Sequence, residues 1–522
     1  MRTARRLLQL GALGVVVAVV GGELFELDRF LAPKELVLHL AAFGAAAAAL
    51  RASERSVLSL PDIGLLLWLG LSLLSALLAA NGWLSARALG VSAAGLACYW
   101  TARAIARSEM ERPLLAALAM AAILAAVTAL LQAYGILLPL VSERRAPGGL
   151  LGNRNFMAHL TAIGLPIILY LTLTTRSRAG AWLGGIGSTL AAAALVLSRS
   201  RAAWLAVLAG ATFLVVEGVL VSGLWRDPAV RRRLMTAMGG AAAGLVLALA
   251  IPNGLDWRSD SPYLESLTSI ANFQDGSGRG RVVQWSNTLR MSADHPLLGV
   301  GPGNWMIEYP NYTTPNDPSF AWNDPIPTNP WPSSDWVGLL AERGWLAMAC
   351  LVLVLGSLAF VGWRRSRRHG ASPEGLAGLA MVSLLLVTGI VAAFDAVLLL
   401  AAPTLLFWTA LGALQPAPRV AVSLDRPWMR KATRWAMLCG AAIWISRSAA
   451  ETLSIVVAGD GESRRALRVA SAIDPGSFRL QLRLAGIPGD ATCAQVRIHA
   501  ARAAELMPNH RGPQQALRRC GR

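Results

Sequence analysis

The stretch GLDWRSDSPYLESLTSIANFQDGSGRGRVVQWSNTLRMSADHPLLGVGPGNWMIEYPNYTTPNDPSFAWNDPIPTNPWPSSD, Gly254–Asp335, decides how the rest of the chain is read. It is a long polar interval in a sequence whose hydrophobic blocks are otherwise joined by short loops. A loop of such length inside a folded protein is uncommon and is usually functional. Within it, Val282, Val283, Leu289 and Met291 recur with a spacing that predicts a helix over 280–294. Gly/Pro turns and a run rich in Trp, Asn and Pro follow. The interval reads as a lid over a site at a membrane surface.

Outward from the lid, the chain is 55% hydrophobic and only 15% charged, against about 25% charged in ordinary soluble domains. Apolar blocks of roughly 18–22 residues recur, long enough as helix to cross a hydrocarbon core of about 30 Å. Polar helix faces between the blocks are mostly missing, which argues against a large soluble protein. Twelve candidate spans run from 7–22 to 396–414, with a shorter thirteenth at 432–448. The predicted fold is an all-α polytopic membrane protein. It divides into helices 1 to 9 (1–252), the large loop (253–335), further membrane helices (336–448) and a soluble helical tail (449–522). No clear small-residue cleavage site follows the first block, so it reads as a retained helix.

The net charge of +18 does not point to nucleic acid, because the basic residues cluster in alternate loops. That pattern orients membrane helices. With MRTARR in the cytoplasm, RASER (51–55), RAIARSEMER (103–112), RDPAVRRR (226–233) and RRSRR (364–368) lie inside. The large loop is then outside, periplasmic if the membrane is the inner membrane of a Gram-negative cell, and the tail lies on the same side. Two outside loops break the rule: SERRAPGGLLGNRN (142–155) and SRSR (198–201). Their arginines either snorkel to lipid phosphates, or Arg199, Arg201, Arg279 and Arg281 surround an anionic group. Planar guanidinium grips diphosphate oxygens bidentately where Lys does not. Cys98, Cys350 and Cys439 sit in apolar segments, Cys493 and Cys520 in the tail, with no metal-ligand spacing. A Cys493–Cys520 disulfide suits an oxidising periplasm. The tail is similar in pattern to tetratricopeptide hairpins, with turns at Asp474-Pro475 and Pro508-Asn509. Fewer than three repeats are present, so it is expected to lean on the rest of the protein.

Five motifs in order resemble a known family. They are GGLLGNRNFMAHL (148–160), LSRSRAAWLA (197–206), GRVVQWSNTLRMSADHPLLGVGPGNW (280–305), SSDWVGLLAERG (333–344) and AFDAVLLLAAPTLLFWTALG (393–412). Together they resemble the O-antigen ligase and polymerase superfamily over about 145–415. The resemblance implies transfer of a glycan from an undecaprenyl diphosphate donor to an acceptor glycolipid or glycan, among membrane lipids, without metal, nucleotide sugar or other cofactor. It implies that arginines steady the diphosphate leaving group. Arg201 matches the Ser-Arg motif, and Arg281 or Arg279 the loop arginine. It also implies a His that activates the acceptor hydroxyl.

At that His position, eleven residues before Gly344, the chain has Ser333. A serine hydroxyl is no base near pH 7. Three readings stand. Asp335 takes the role, or caps the helix that follows. His159 or His295 substitutes. Or the chain is an altered homologue that binds lipid-linked glycan without this chemistry. Asp395, near a helix end, is expected to hydrogen-bond structurally. Trp322, Trp331 and Trp336 suit sugar stacking and equally an interfacial aromatic belt. A polysaccharide transporter or an assembly scaffold is the alternative from another class. Convergence of Arg201, Arg281 and Asp335 on one outward cavity separates transfer from transport.

Overall fold

A computed structural model describes residues 1–52, 57–136, 140–143, 145–221, 223–257, 259–268, 272–274, 276–313, 317–320, 330–415, 422–423, 426–486 and 492–520. The chain is an all-α polytopic membrane protein. In order come α1 (Arg2–Val17), α2 (Asp28–Ala52), α3 (Leu60–Leu77), α4 (Gly82–Ala106), α5 (Glu111–Ala133), α6 (Arg154–Thr174) and α7 (Arg178–Ser198). Next are α8 (Arg201–Phe213), which runs on as a π-helical stretch Leu214–Val221, and α9 (Pro228–Ala250). The large loop contributes α10 (Pro262–Thr268), α11 (Gly276–Asp294) and α12 (Trp305–Glu308). Then follow α13 (Asp335–His369), α14 (Pro373–Phe394), α15 (Ala401–Leu414) and α16 (Pro427–Ala458). The tail is α17 (Arg464–Ile473), α18 (Phe478–Gly486), α19 (Cys493–Leu506) and α20 (Arg511–Arg519). The helix expected at 280–294 begins a turn earlier, and the span expected at 432–448 is the middle of the much longer α16.

Among the described residues, ten helices are long and apolar enough to cross a membrane, where the sequence leads one to expect twelve or thirteen. Every expected span is a helix, but α1 is 16 residues long and α15 only 14, and α4, though 25 residues long, is not among the ten. All residues of α15 are buried. It is a helix inside the bundle, packed on α4, not one bathed in lipid. The outer surface carries what a membrane requires. Leu66, Leu67, Leu73, Leu74 and Leu77 on α3 and Leu245, Val246 and Leu249 on α9 are exposed, an apolar exposure on each helix that a water-soluble surface would not carry.

The helix ends follow local chemistry. Asn81, Asn153, Ser177, Asp227, Ser334 and Ser372 cap α4, α6, α7, α9, α13 and α14 through side-chain oxygens that accept backbone amides. Helix order then places the starts of α6, α8 and α13, the ends of α7 and α14, the large loop and the tail on one face. The tail leans on the bundle as expected. Arg479 pairs with Asp28 at 2.8 Å, and Asn81 Nδ2 donates to the Leu506 carbonyl at 2.9 Å. Cys493 and Cys520 are joined as a disulfide that closes α19 and α20 on each other.

The motif segments 295–304 and 338–344 are scaffolding. Helix α13 is broken at Gly344, whose φ of +78° is in the left-handed region. The carbonyl of Leu297 passes 2.2 Å from where a Cβ would stand, so only glycine fits. Into the kink runs 296–301. Trp345 N donates to Pro296 O, Val300 N to Ala341 O and Gly301 N to Glu342 O. Asn304 then accepts from Asn81 N at 2.7 Å and donates to Ser85 Oγ at 2.9 Å. The large loop is thereby hydrogen-bonded to α13 and α4 rather than hanging over them.

Candidate functional site

On the face that carries the large loop, a cavity of about 440 Å³ opens between the starts of α6 and α13, the end of α14 and α11. Each wall follows from its local sequence. The Gly-Asn-Arg-Asn turn enters α6 with Asn153 as the cap, its Oδ1 accepting Asn155 N at 2.9 Å. This leaves Asn155 one residue inside the helix, where its Nδ2 reaches Asp395 Oδ2 at 3.4 Å. Helix α14 ends at Phe394 because Asp395 turns extended, and Asp395 Oδ1 accepts Ala396 N at 2.9 Å. Asp395 so does the structural hydrogen bonding expected of it, and it also lines the cavity. Among the described residues it is the one carboxylate in the lining.

The opposite wall is α11. Arg281 lines the cavity and is held by Nε–H donation to the Phe394 carbonyl at 3.1 Å. Gln284, buried, accepts Ser333 N at 2.6 Å, while Trp285 Nε1 donates to the Ser333 carbonyl at 3.1 Å. The segment 331–333 is therefore strapped to α11. Trp331 and Ser333 both line the cavity, and Trp331 lies against Phe156 with ring centroids 6.0 Å apart.

A second, small cavity of about 30 Å³ adjoins the first, bounded by Arg201, Ala202 and Leu205 on α8 and by Phe273, Arg281 and Phe394. Arg281 belongs to both linings, so Arg201 and Arg281 converge. More arginines stand behind them. Arg201 feels the charges of Arg281 and Arg199, and Arg154 those of Arg199 and Arg145. Arg145 lines the main cavity. Arg199 is tied to the loop, Nε to Ser266 Oγ at 2.8 Å and Nη2 to Glu265 at 3.0 Å. Arg154 and Arg199 both lie over the Trp257 ring, at 5.1 and 4.8 Å. Arg145, Arg201 and Arg281 thus line the two adjoining cavities, and Arg154 and Arg199 line neither but add their charge from behind, a distribution that raises the local concentration of an anion.

Several expected site residues lie elsewhere. Asp335 is completely buried and lines neither cavity. Its Oδ2 accepts the amides of Val397 and Leu398 at 2.9 and 2.7 Å, so it ties the start of α13 to the turn before α15. The cap of α13 is Ser334, whose Oγ accepts Val337 N. His295 is exposed in the turn after α11, away from both linings, and Arg279 points to the surface. Trp336 donates Nε1 to the Gly389 carbonyl at 2.8 Å and clasps α13 to α14; it lines neither of these two cavities. Trp322 lies outside the described residues. His159 is buried one turn below Asn155, in the field of Asp395 and Arg281, and neither ring nitrogen has a hydrogen-bond partner. It lies beneath the floor rather than in the lining.

Sequence reasoning missed Arg145, Asn155 and Gln284 altogether, and it foresaw the structural bonds of Asp395 but not its place in the cavity lining. For Arg145 a signal was present: its loop already broke the charge-orientation rule. Gln284 had none, since a polar residue within an amphipathic helix gives no hint that it faces the protein.

With the geometry in view, the family model described as O-antigen ligase matches residues 186–352, from within α7 to the middle of α13. No curated protein matches the chain.

Proposed function

Because residues 186–352 match the O-antigen ligase family model, we propose that the chain transfers a glycan from undecaprenyl diphosphate to an acceptor sugar on the periplasmic face. The observation that carries this reading is the sharing of Arg281 between two adjoining cavities, with Arg201 on one side of it and Asp395 on the other. The diphosphate lies against Arg201 and Arg281. The acceptor hydroxyl attacks the anomeric carbon, and the bond from that carbon to the diphosphate oxygen breaks. The electron pair leaves on the diphosphate, and the hydroxyl proton passes to Asp395. Charge grows on the leaving group as the bond stretches, and cations already in place stabilise it without reorganising. Ser333, at the position where relatives carry a base, contributes its backbone to the strap on α11. Asp395 supplies a carboxylate where the sequence has no histidine. Undecaprenyl diphosphate-linked glycan and an acceptor glycolipid or glycan are the partners of this scheme.

The test is surface polysaccharide in cells whose gene is replaced by Arg281→Ala, Arg281→Lys or Arg201→Ala. Loss of one such cation lowers transfer by about 10²–10³-fold. The two Ala variants should therefore empty the glycan ladder while membrane levels of protein stay normal, with Lys giving partial recovery. A normal ladder in both Ala variants rejects the reading.

A further inference from the structure

Trp331 lines the cationic cavity and also a second cavity of about 230 Å³, which lies between the membrane bundle and the tail. The second one is walled by α2, α4, the start of α13 and α16, and roofed by residues 474–479. Its volume is several times the ≈30 Å³ share of one water, enough for a sugar ring. Its chemistry differs from that of the first. Five carboxylates (Asp28, Glu35, Glu342, Glu451 and Asp474) and three arginines (Arg87, Arg447 and Arg479) line it.

Most of these charges neutralise one another. Arg87 pairs with Glu35 at 2.7 Å and with Glu451 at 3.0 Å, and Arg479 with Asp28. What is left over are directed hydrogen-bonding atoms. Glu342 is 2% exposed, and its Oε2 has no partner, although Oε1 accepts Trp305 N. Glu451 Oε2 and Arg447 Nε are likewise buried without partners. An orphaned buried oxygen costs free energy unless something bonds to it. A pocket with two more carboxylates than arginines, unpaired acceptors and a donor, and the aromatic rings of Trp331 and Phe478 matches an uncharged polyol better than an anion. Hydroxyls satisfy the carboxylates, and the apolar faces of a sugar pack on the rings.

We propose that this tail-roofed cavity seats the acceptor sugar, next to the donor cavity across Trp331. The inference rests on the transfer reading above and assigns its second substrate. It gives the tail a function as one wall of the acceptor site.

The experiment places the photoreactive residue p-benzoylphenylalanine in place of Phe478, in the full-length protein in cells. A control carries it in place of Ile498, which is 67% exposed on the tail. After irradiation the protein is purified and stained for carbohydrate, and the crosslinked peptide is weighed by mass spectrometry. A sugar-bearing adduct at position 478 and none at 498 is expected. The mass separates a lipid-borne glycan from a free oligosaccharide, and either satisfies the proposal. The double variant Glu342→Gln/Asp474→Asn should lower the yield about tenfold, and Arg281→Ala should leave it intact. No sugar at position 478, a phospholipid or peptide adduct without sugar, or a yield indifferent to the double variant overturns the proposal. Retained polysaccharide in Arg281→Ala and Arg201→Ala sinks the transfer reading instead, whatever the adduct.

Discussion

Two aspartates, Asp335 and Asp395, stand at opposite ends of the same question: which carboxylate meets the substrate. Sequence position favours Asp335, two residues beyond the vacant histidine position. Yet it is fully enclosed, and its Oδ2 is occupied by two backbone amides. Asn keeps a carbonyl oxygen for those amides, whereas Ala leaves both orphaned at about 1–3 kcal/mol each. Asp335→Asn is therefore expected to retain transfer, and Asp335→Ala to lower the melting temperature in detergent. Asp395→Asn should insert and melt like the wild type but lose about 10²–10⁴-fold in transfer, the usual contribution of a general base. Activity that survives Asp395→Asn and dies with Asp335→Asn reverses the assignment. His159, enclosed below them without a partner for either nitrogen, is set by its helix, since position 159 is one turn after Asn155 and faces the same neighbour, Asp395.

Among the elements, α13 shows how the loop is held in register. Its break at Gly344 admits the 296–301 strand of loop, and the amide ladder to Pro296, Ala341 and Glu342 then places α11 over the cavity. Gly344→Ala forces a side chain into left-handed backbone and against the Leu297 carbonyl 2.2 Å away. A cost above about 2 kcal/mol follows, and a thermal-stability chromatography assay should show a lowered melting temperature with reduced transfer. An unchanged melting temperature would mean the kink is not needed. At the other end of the bundle, α3 and α4 are joined by a bidentate pair. Arg103, 4% exposed, donates two 2.8 Å bonds to Asp62, which also accepts Trp100 Nε1. Asp62→Ala strands that guanidinium, at about 3–5 kcal/mol. The variant is expected to accumulate poorly in membranes; wild-type levels and melting would show the pair to be dispensable.

Over the whole molecule, bundle, loop and tail meet on a single face, with the two cavities side by side beneath them. The tail's own packing should depend on pH through His499, whose Nδ1 bonds Gln481 Oε1 at 2.8 Å between α18 and α19. Burial, then the charges of Arg464 and Arg468, hold its pKa below the ordinary 6.5. The unfolded tail therefore binds this proton more readily than the folded one. The stability due to His499 is full above about pH 6.5 and is lost as pH falls through the lowered value. Limited proteolysis should cut the tail faster at pH 5 than at pH 7.5, and His499→Gln should shrink that difference. Equal rates for the wild type at both pH values refute it.

The amino-acid order by itself determined the class of protein, the helices and the position of the large loop. These depend on quantities that are local along the chain: runs of apolar residues long enough to span, caps at their ends, and charge in alternate loops. Only tertiary structure decided which carboxylate faces the cavity, that Trp336 and Asp335 serve as ties between helices, that α15 is enclosed by its neighbours, and that Arg145 and Gln284 belong to the site. Each of those outcomes turns on which neighbour a side chain meets across the bundle. A partner more than a hundred residues away, such as Asp395 for Asn155 or Phe394 for Arg281, leaves no periodicity or spacing to read.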